Sequence, residues 1–164
     1  MISRSKKPEI YFLVLLVAIE SVAALYGGIS MITDPSGSSL QFEMKLLQGS
    51  VFNSYIIPGL ILFLLLGLMP FILVYPLLFK PKWPLMDVLN VYSGYYWAWT
   101  YTLYTAIMLI IWTDIQFLII GSASNMQSII GLYGVLILIV TLIPRVRRYY
   151  KVQRQTRHHT IVQK

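Results

Sequence analysis

The chain has 164 residues, of which 57% are hydrophobic and 12% charged; it carries a net charge of +7 and has no cysteine. A soluble domain is typically about 25% charged, so this composition excludes soluble, disordered and nucleic-acid-binding proteins despite the basic charge. The lack of cysteine excludes disulfide frameworks, zinc ribbons, thiol catalysis and iron–sulfur chemistry. An integral membrane protein remains.

Four segments are long and apolar enough to cross about 30 Å of hydrocarbon, which takes roughly 20 residues. They cover approximately residues 10–32, 54–79, 91–120 and 126–143, with the membrane part of the third beginning near Tyr96. The sequence therefore predicts an all-α fold. We expect a four-helix transmembrane bundle over residues 10–143 and basic tails over 1–9 and 144–164.

The loops support these boundaries. Asp34–Gly37 has the residue order of a type I turn, and Ser38 followed by Gln41 predicts a capping box that opens a short helix. Ser124 and Gln127 repeat that spacing before the fourth span. The short helix is expected to lie in the membrane interface on its apolar face, which contains Leu40, Met44, Leu47 and Val51.

Proline punctuates the second span and the loop that follows it. Pro58, Pro70 and Pro76 predict bends within the span. Pro81 and Pro84 cannot continue a helix and separate the second span from the third.

Basic residues lie almost entirely on one side of the predicted spans. Only Lys45 falls on the other side, so the positive-inside rule predicts a multi-pass protein of the cell membrane with both termini cytoplasmic. The twelve residues on the cytoplasmic side are Arg4, Lys6, Lys7, Lys80, Lys82, Arg145, Arg147, Arg148, Lys151, Arg154, Arg157 and Lys164.

Glu20 lies near the middle of the first span. A carboxylate at that depth costs about 3 kcal/mol on insertion scales, so we expect the side chain to point into the bundle. Ala24, Gly27 and Gly28 share its helical face and allow another helix to approach closely. Because no cation lies at matching depth, the neutral, protonated form is favoured. Glu20 is therefore either a proton or ligand site, or a hydrogen-bonding residue between helices.

The third span contains an unusual number of polar aromatic residues. Trp and Tyr belong to the interfacial belt, but Thr100, Tyr101 and Tyr104 lie deeper. They are candidates to line a cavity for an apolar or cationic ligand, or they make ordinary interhelical hydrogen bonds. Asp114, near the other end of this span, is either a second functional acid or an interfacial residue.

The remaining candidates are basic. Arg145, Arg147, Arg148 and Lys151 are expected to contact anionic lipid headgroups, at about 1 kcal/mol per residue, and also to orient the chain. Nothing in the sequence indicates a catalytic group, a metal site or a cofactor, and we expect no enzymatic activity.

Several short motifs together resemble a group of small four-span prokaryotic integral membrane proteins of uncharacterised function. They cover most of residues 10–143, and the resemblance implies the four-span architecture without an activity. The motifs are Gly27-Gly28, Asp34–Gly37, Tyr55–Gly59, Gly67, Trp112, Gln116, Gly121, Gln127 and Gly131.

Ala18-Ile19-Glu20-Ser21-Val22 is loosely similar to the first span of small multidrug-resistance transporters, which also have four spans and a membrane glutamate. This resemblance implies that Glu20 is a shared proton and substrate site. The chain differs from that family in its length, its outer loop of roughly twenty residues and its third span.

From these observations we expect a protein without catalytic activity that binds lipid or another hydrophobic ligand in the bundle, or that serves as an accessory subunit. Its partners would be membrane lipids and a second copy or another membrane protein, not nucleic acid. The alternative is a proton-coupled transporter of hydrophobic cations that uses Glu20.

Overall fold

The computed structural model describes residues 8–48, 50–120 and 125–152, and for residues 119 and 120 the backbone alone. Four helical segments in these ranges are long and apolar enough to cross a membrane, which makes the chain an all-α integral membrane protein. The helices are α1 (Pro8–Thr33), α2 (Ile56–Ile61), a π-helical stretch (Leu62–Leu68), α3 (Met69–Phe79), α4 (Trp97–Ile120), α5 (Asn125–Leu142) and α6 (Pro144–Tyr150).

The second span is continuous from Ile56 to Phe79 but irregular in its middle. Pro70 has no N–H, so the carbonyl of Leu66 cannot receive the usual helical hydrogen bond from it. The preceding turns widen into a π-helix, in which the N–H of Met69 donates to the carbonyl of Leu64. The bends predicted at the prolines stay a prediction, whereas the π-helical stretch before Pro70 is of the kind that occurs mostly inside α-helices.

Glycine permits α1 to pack very closely against the second span. A Cβ on Gly28 would lie 2.7 Å from the backbone nitrogen of Phe63, and a Cβ on Gly59 would lie 2.7 Å from the Cβ of Met31. Gly67 meets Leu25 in the same way, at 3.0 Å. The predicted close approach at Gly28 is confirmed, and it follows the small-residue packing that is typical of membrane helices.

The fourth span, α5, packs along α4 through another glycine. A Cβ on Gly134 would lie 3.0 Å from Ile110 and 3.4 Å from the carbonyl of Ala106. Nearer the end of α5, the indole N–H of Trp99 donates to the carbonyl of Thr141 at 2.9 Å. Because α5 ends at Leu142, one residue after Thr141, that buried indole satisfies a carbonyl that the helix end leaves without its usual donor.

The loop after α1 is helical, but in two short 3₁₀ turns, Ser38–Leu40 and Met44–Leu47, rather than one continuous helix. The predicted capping box is wrong: Gly37 is the N-cap residue and makes no side-chain cap. Ser38 instead donates to the Asp34 carboxylate at 2.7 Å. The apolar residues therefore do not share one face, since Leu47 is buried whereas Val51 is exposed. Ser124, in the second predicted capping pair, lies outside the described residues.

Residues 144–150, predicted as the start of a basic tail, form the docked helix α6. Val146 and Tyr150 are buried, and the Tyr150 hydroxyl donates to the carbonyl of Leu77 at 2.7 Å. The backbone N–H groups of Tyr96 and Val152 bond the carbonyls of Tyr150 and Gly94. We call this end of the bundle, where α1 and α4 begin and α3 and α5 end, the basic end, and the opposite one the Asp34 end.

Candidate functional site

A cavity of about 460 Å³ lies between α1 and α5, with α4 behind it. Its volume falls within the range of about 300–1,000 Å³ that small-molecule sites occupy. The wall is formed almost entirely by carbon atoms, and side chains at its rim, including Ile19, Tyr26 and Ile129, are half-exposed or more. Since exposed side chains of a spanning helix face lipid, the cavity is a cleft that opens sideways into the membrane.

The two ends of the cleft differ. Toward the Asp34 end it adjoins a smaller chamber of about 140 Å³, and both are lined by Met31, Phe42 and Trp112. Toward the basic end, the Tyr133 hydroxyl donates to the carbonyl of Leu16 at 2.9 Å and ties α5 to α1. Leu16 lies one helical turn before Glu20, so the cleft ends near the middle of the first span.

The small residues of α1 account for the space. Ala23, Ala24 and Gly27 border the cleft, while the next residue, Gly28, is buried against Phe63. Both glycines adjoin the second span, but at different distances from its backbone: a Cβ on Gly28 would meet the backbone of Phe63, whereas a Cβ on Gly27 would lie 3.1 Å from the side chain of Leu62, at the border of the cleft. The sequence predicted a small-residue face but not that part of it would remain unfilled by another helix.

Glu20 borders the cleft and points into the bundle, as predicted; the residue is 5% exposed. Neither carboxyl oxygen has a hydrogen-bond partner in the part of the chain that the structure describes, and both are shielded from the cleft by neighbouring atoms. Among the described residues, no lysine, arginine or histidine lines the cleft, whereas the phenol of Tyr133 does.

Gln127 is a second buried polar residue beside these cavities. It borders the smaller chamber, is 8% exposed, and its side-chain carbonyl oxygen has no partner among the described residues. Sequence reasoning assigned Gln127 to a helix cap and to the motifs of the four-span resemblance, but not to a cavity. Its position in the first turn of α5 could not indicate that it faces α1 and the second span across a cavity.

Thr100, Tyr101 and Tyr104 lie elsewhere, near the basic end, and none of them lines the cleft or the chamber. Thr100 donates to the side chain of Asn90 at 2.6 Å, and Tyr104 donates to the carbonyl of Leu89 at 3.1 Å. Tyr101 packs against the rings of Trp97 and Tyr104. These contacts attach the loop before α4 to the helix itself.

Asp114 is exposed and lines neither cavity. The structure therefore separates it from Glu20.

The basic residues of α6 lie on its exposed side. Arg145 forms an ion pair with Glu9 at 2.7 Å, and Arg147 donates to the Tyr95 hydroxyl at 3.0 Å. Arg148 donates to the carbonyl of Pro144 within its own helix, and Lys151 is exposed. All four remain near one another at the basic end, although Arg145 already has an anionic partner.

No group of three or more His, Asp or Glu side chains in the described ranges could hold a metal ion. No protein-family model, curated protein or solved structure matches the chain.

Proposed function

We propose that the protein binds a hydrophobic ligand, most simply a lipid chain, in the cleft between α1 and α5, and that it does so without catalysing a reaction. The observation that carries this proposal is a cleft of about 460 Å³ with a carbon-lined wall and a sideways opening between two membrane helices. In that position the cleft is in contact with the acyl chains of the surrounding bilayer.

The energetic argument concerns packing. Lipid tails are as apolar as the side chains of the cleft, so transfer from water contributes little to binding inside a membrane. An empty cleft, however, leaves its lining without van der Waals partners, and each lost pair costs about 0.1–0.2 kcal/mol. A chain that follows the cleft restores these contacts, so shape selects the ligand.

A matched pair of substitutions tests the proposal. Ala23 borders the cleft, whereas its neighbour Val22 is exposed and does not. We expect Ala23→Phe to fill the cleft and abolish co-purification of lipid, and Val22→Phe to leave it unchanged. Native mass spectrometry of detergent-purified protein measures the bound species. Equal lipid retention by the two variants would contradict the proposal.

We also propose that both termini face the cytoplasm and that Arg147, Arg148 and Lys151 contact anionic headgroups there. The support is the charge asymmetry between the basic end and the Asp34 end. Single cysteines replacing Gln48 and Lys82, in a chain that has none of its own, should react with an impermeant maleimide from opposite sides of the membrane. Labelling of Gln48→Cys from the cytoplasmic side would reverse the orientation.

The second candidate is proton-coupled transport of hydrophobic cations. The observation that favours it is Glu20, whose two carboxyl oxygens have no hydrogen-bond partner beside the cleft. Proton release on adding hydrophobic cations to purified protein tests it, with Glu20→Gln as the matched variant. Release from the wild type alone would support competition between proton and cation at Glu20; no release would remove this function for the cations tested.

Oligomeric state separates the two candidates further. Because the cleft ends near the middle of the first span, transport of a substrate across the membrane would require a second copy of the chain or a large rearrangement. An accessory subunit or lipid-binding protein needs neither. Analytical ultracentrifugation in detergent distinguishes a monomer from a homodimer.

A further inference from the structure

The loop between α3 and α4 carries a row of large apolar side chains on its outer surface. Leu85, Val88, Leu89 and Val91 are between 66% and 78% exposed, and Tyr92 is 46% exposed. They occur within eight consecutive residues, so they form one continuous patch. Clustered exposure of this kind, unlike scattered single residues, marks a surface that is covered by something other than water.

One polar side chain of the same loop, that of Asn90, points toward the protein. Asn90 donates to the carbonyl of Tyr95 at 3.0 Å and accepts from the hydroxyl of Thr100 at 2.6 Å. Although Asp87 is also exposed, the loop turns the Asn90 amide toward the protein and four aliphatic side chains away from it, which is unusual for a surface in water. Such an arrangement is stable where the surroundings are apolar.

The loop is also held at a defined depth. Tyr104 lies seven residues after the first residue of α4, about 10 Å along the helix axis. Its hydroxyl donates to the carbonyl of Leu89 at 3.1 Å and accepts from the N–H of Val91 at 3.4 Å. The loop consequently folds back along the first turns of the third span instead of extending away from the bundle.

The flanking residues have the chemistry of a membrane interface. Trp83 stacks on Trp97 at a ring-centroid distance of 5.7 Å, and Lys82 beside it is exposed. The antiparallel bridge between Tyr95 and Lys151 brings the basic residues of α6 to the same end. Aromatic rings and cations at this level fit the headgroup region of a bilayer.

From this juxtaposition we propose that residues 84–92 form an interfacial wedge, in which Leu85, Val88, Leu89 and Val91 insert among the acyl chains of the leaflet at the basic end. The occupant of the patch is lipid. A second protein would have to approach through the headgroup layer to reach side chains that lie beside the third span.

Because the chain has no cysteine, single nitroxide labels can measure the depth of the wedge. Leu89→Cys is the test position, and Gln48→Cys and Leu132→Cys are the references for an exposed loop and for an exposed position on a membrane helix. In vesicles of zwitterionic lipid, we expect the label at Leu89 to collide readily with oxygen and rarely with a water-soluble nickel complex, as at Leu132.

A label at Leu89 that is as accessible to the nickel complex as the label at Gln48 would overturn the proposal. Leu85→Cys provides an independent measurement, since it lies near the opposite end of the patch. All the labelled positions are exposed, so a label at any of them needs no repacking of the core. Asp87 is exposed between the apolar residues. A nitroxide label on Asp87→Cys should therefore lie at a shallower depth than the label on Leu89→Cys.

Discussion

The two ends of the bundle are built differently. At the basic end, hydrogen bonds join distant parts of the chain: Tyr150 to Leu77, Trp99 to Thr141, and Lys80 to the carbonyl of Tyr149 at 2.7 Å. At the Asp34 end the bonds span shorter stretches of the chain: the Asp34 carboxylate bonds residues up to Ser39, and Tyr55 donates to the carbonyls of Pro35 and Glu43. The cleft extends toward this second end.

The difference bears on the proposed ligand site in the cleft. A helix end leaves carbonyls without helical donors, and at the basic end aromatic hydroxyl and indole groups from other helices supply them. Each such bond fixes the distance between two helices. Between Tyr133 and the Asp34 end, the described residues give no hydrogen bond between α1 and α5, and this is where the cleft lies.

The largest expected effect comes from Gly28, where α1 packs against the second span. Gly28→Ala places a Cβ 2.7 Å from the backbone of Phe63, and a backbone cannot rotate away as a side chain can. We expect the free energy of unfolding to fall by about 3 kcal/mol, at the upper part of the usual range for overpacking. SDS titration followed by circular dichroism measures it.

Gly94→Ala is the matched control, because a Cβ there would meet nothing within 4 Å. Its effect should stay within about 0.5 kcal/mol. Equal losses for Gly28→Ala and Gly94→Ala would mean that close packing at Gly28 does not hold α1 against the second span.

At the basic end, Tyr150→Phe removes the hydroxyl that donates to Leu77. The regular helical donor to this carbonyl would be residue 81, which is proline and has no N–H. The carbonyl would be buried without a partner, so we expect a loss of about 1.5 kcal/mol in the free energy of unfolding. Tyr92→Phe, at an exposed ring, is the control, and a comparable loss there would refute the explanation.

Alkaline pH should lower the free energy of unfolding through a tyrosine at the basic end. Burial raises the pKa of Tyr96 from 10.0 to about 12, and its hydroxyl donates to the carbonyl of Pro81 at 2.7 Å. The unfolded chain therefore loses this proton before the folded one, so stability is complete below pH 10 and falls as the pH rises toward 12. In the Tyr96→Phe variant, the free energy of unfolding should decrease less steeply between pH 10 and pH 12. SDS titrations at several pH values measure this. If the variant and the wild type showed the same dependence of the free energy of unfolding on pH, Tyr96 would be excluded as a cause of that dependence.

The smallest effect is expected at the Asp34 end. The hydroxyls of Ser36 and Ser38 and the backbone N–H of Ser39 hold the pKa of the Asp34 carboxyl well below its usual value of 3.8. This contribution to stability is present above pH 3.8 and decreases as the pH falls toward the lower value in the folded protein.

Asp34→Asn should therefore destabilise the protein less than Tyr150→Phe at neutral pH, and the gap between Asp34→Asn and wild type should narrow in acid. SDS titration at neutral and acidic pH checks both statements. A loss that exceeds the Tyr150→Phe loss would show that the Asp34 cluster joins elements of the bundle and does more than order its own loop.

Part of the candidate site was predictable. A glutamate in the middle of an apolar span is costly enough that its inward direction follows from position alone, and the adjoining alanine and glycine residues predicted a close helix contact. Gln127 was not predictable as a cavity residue, since a glutamine in the first turn of a helix is equally suited to a cap. Thr100 and Tyr104 were candidates for a cavity, but their hydroxyls bond the preceding loop.

The sequence alone determined the four spans, because hydrocarbon thickness fixes how many apolar residues a crossing helix needs. It also determined the charge asymmetry between the two ends. Only the tertiary structure decided that residues 144–150 dock as a helix, that the outer loop forms two 3₁₀ turns, and that α1 and α5 leave a cleft. Each of these depends on which distant group occupies the space beside a residue, and helical periodicity carries no information about that.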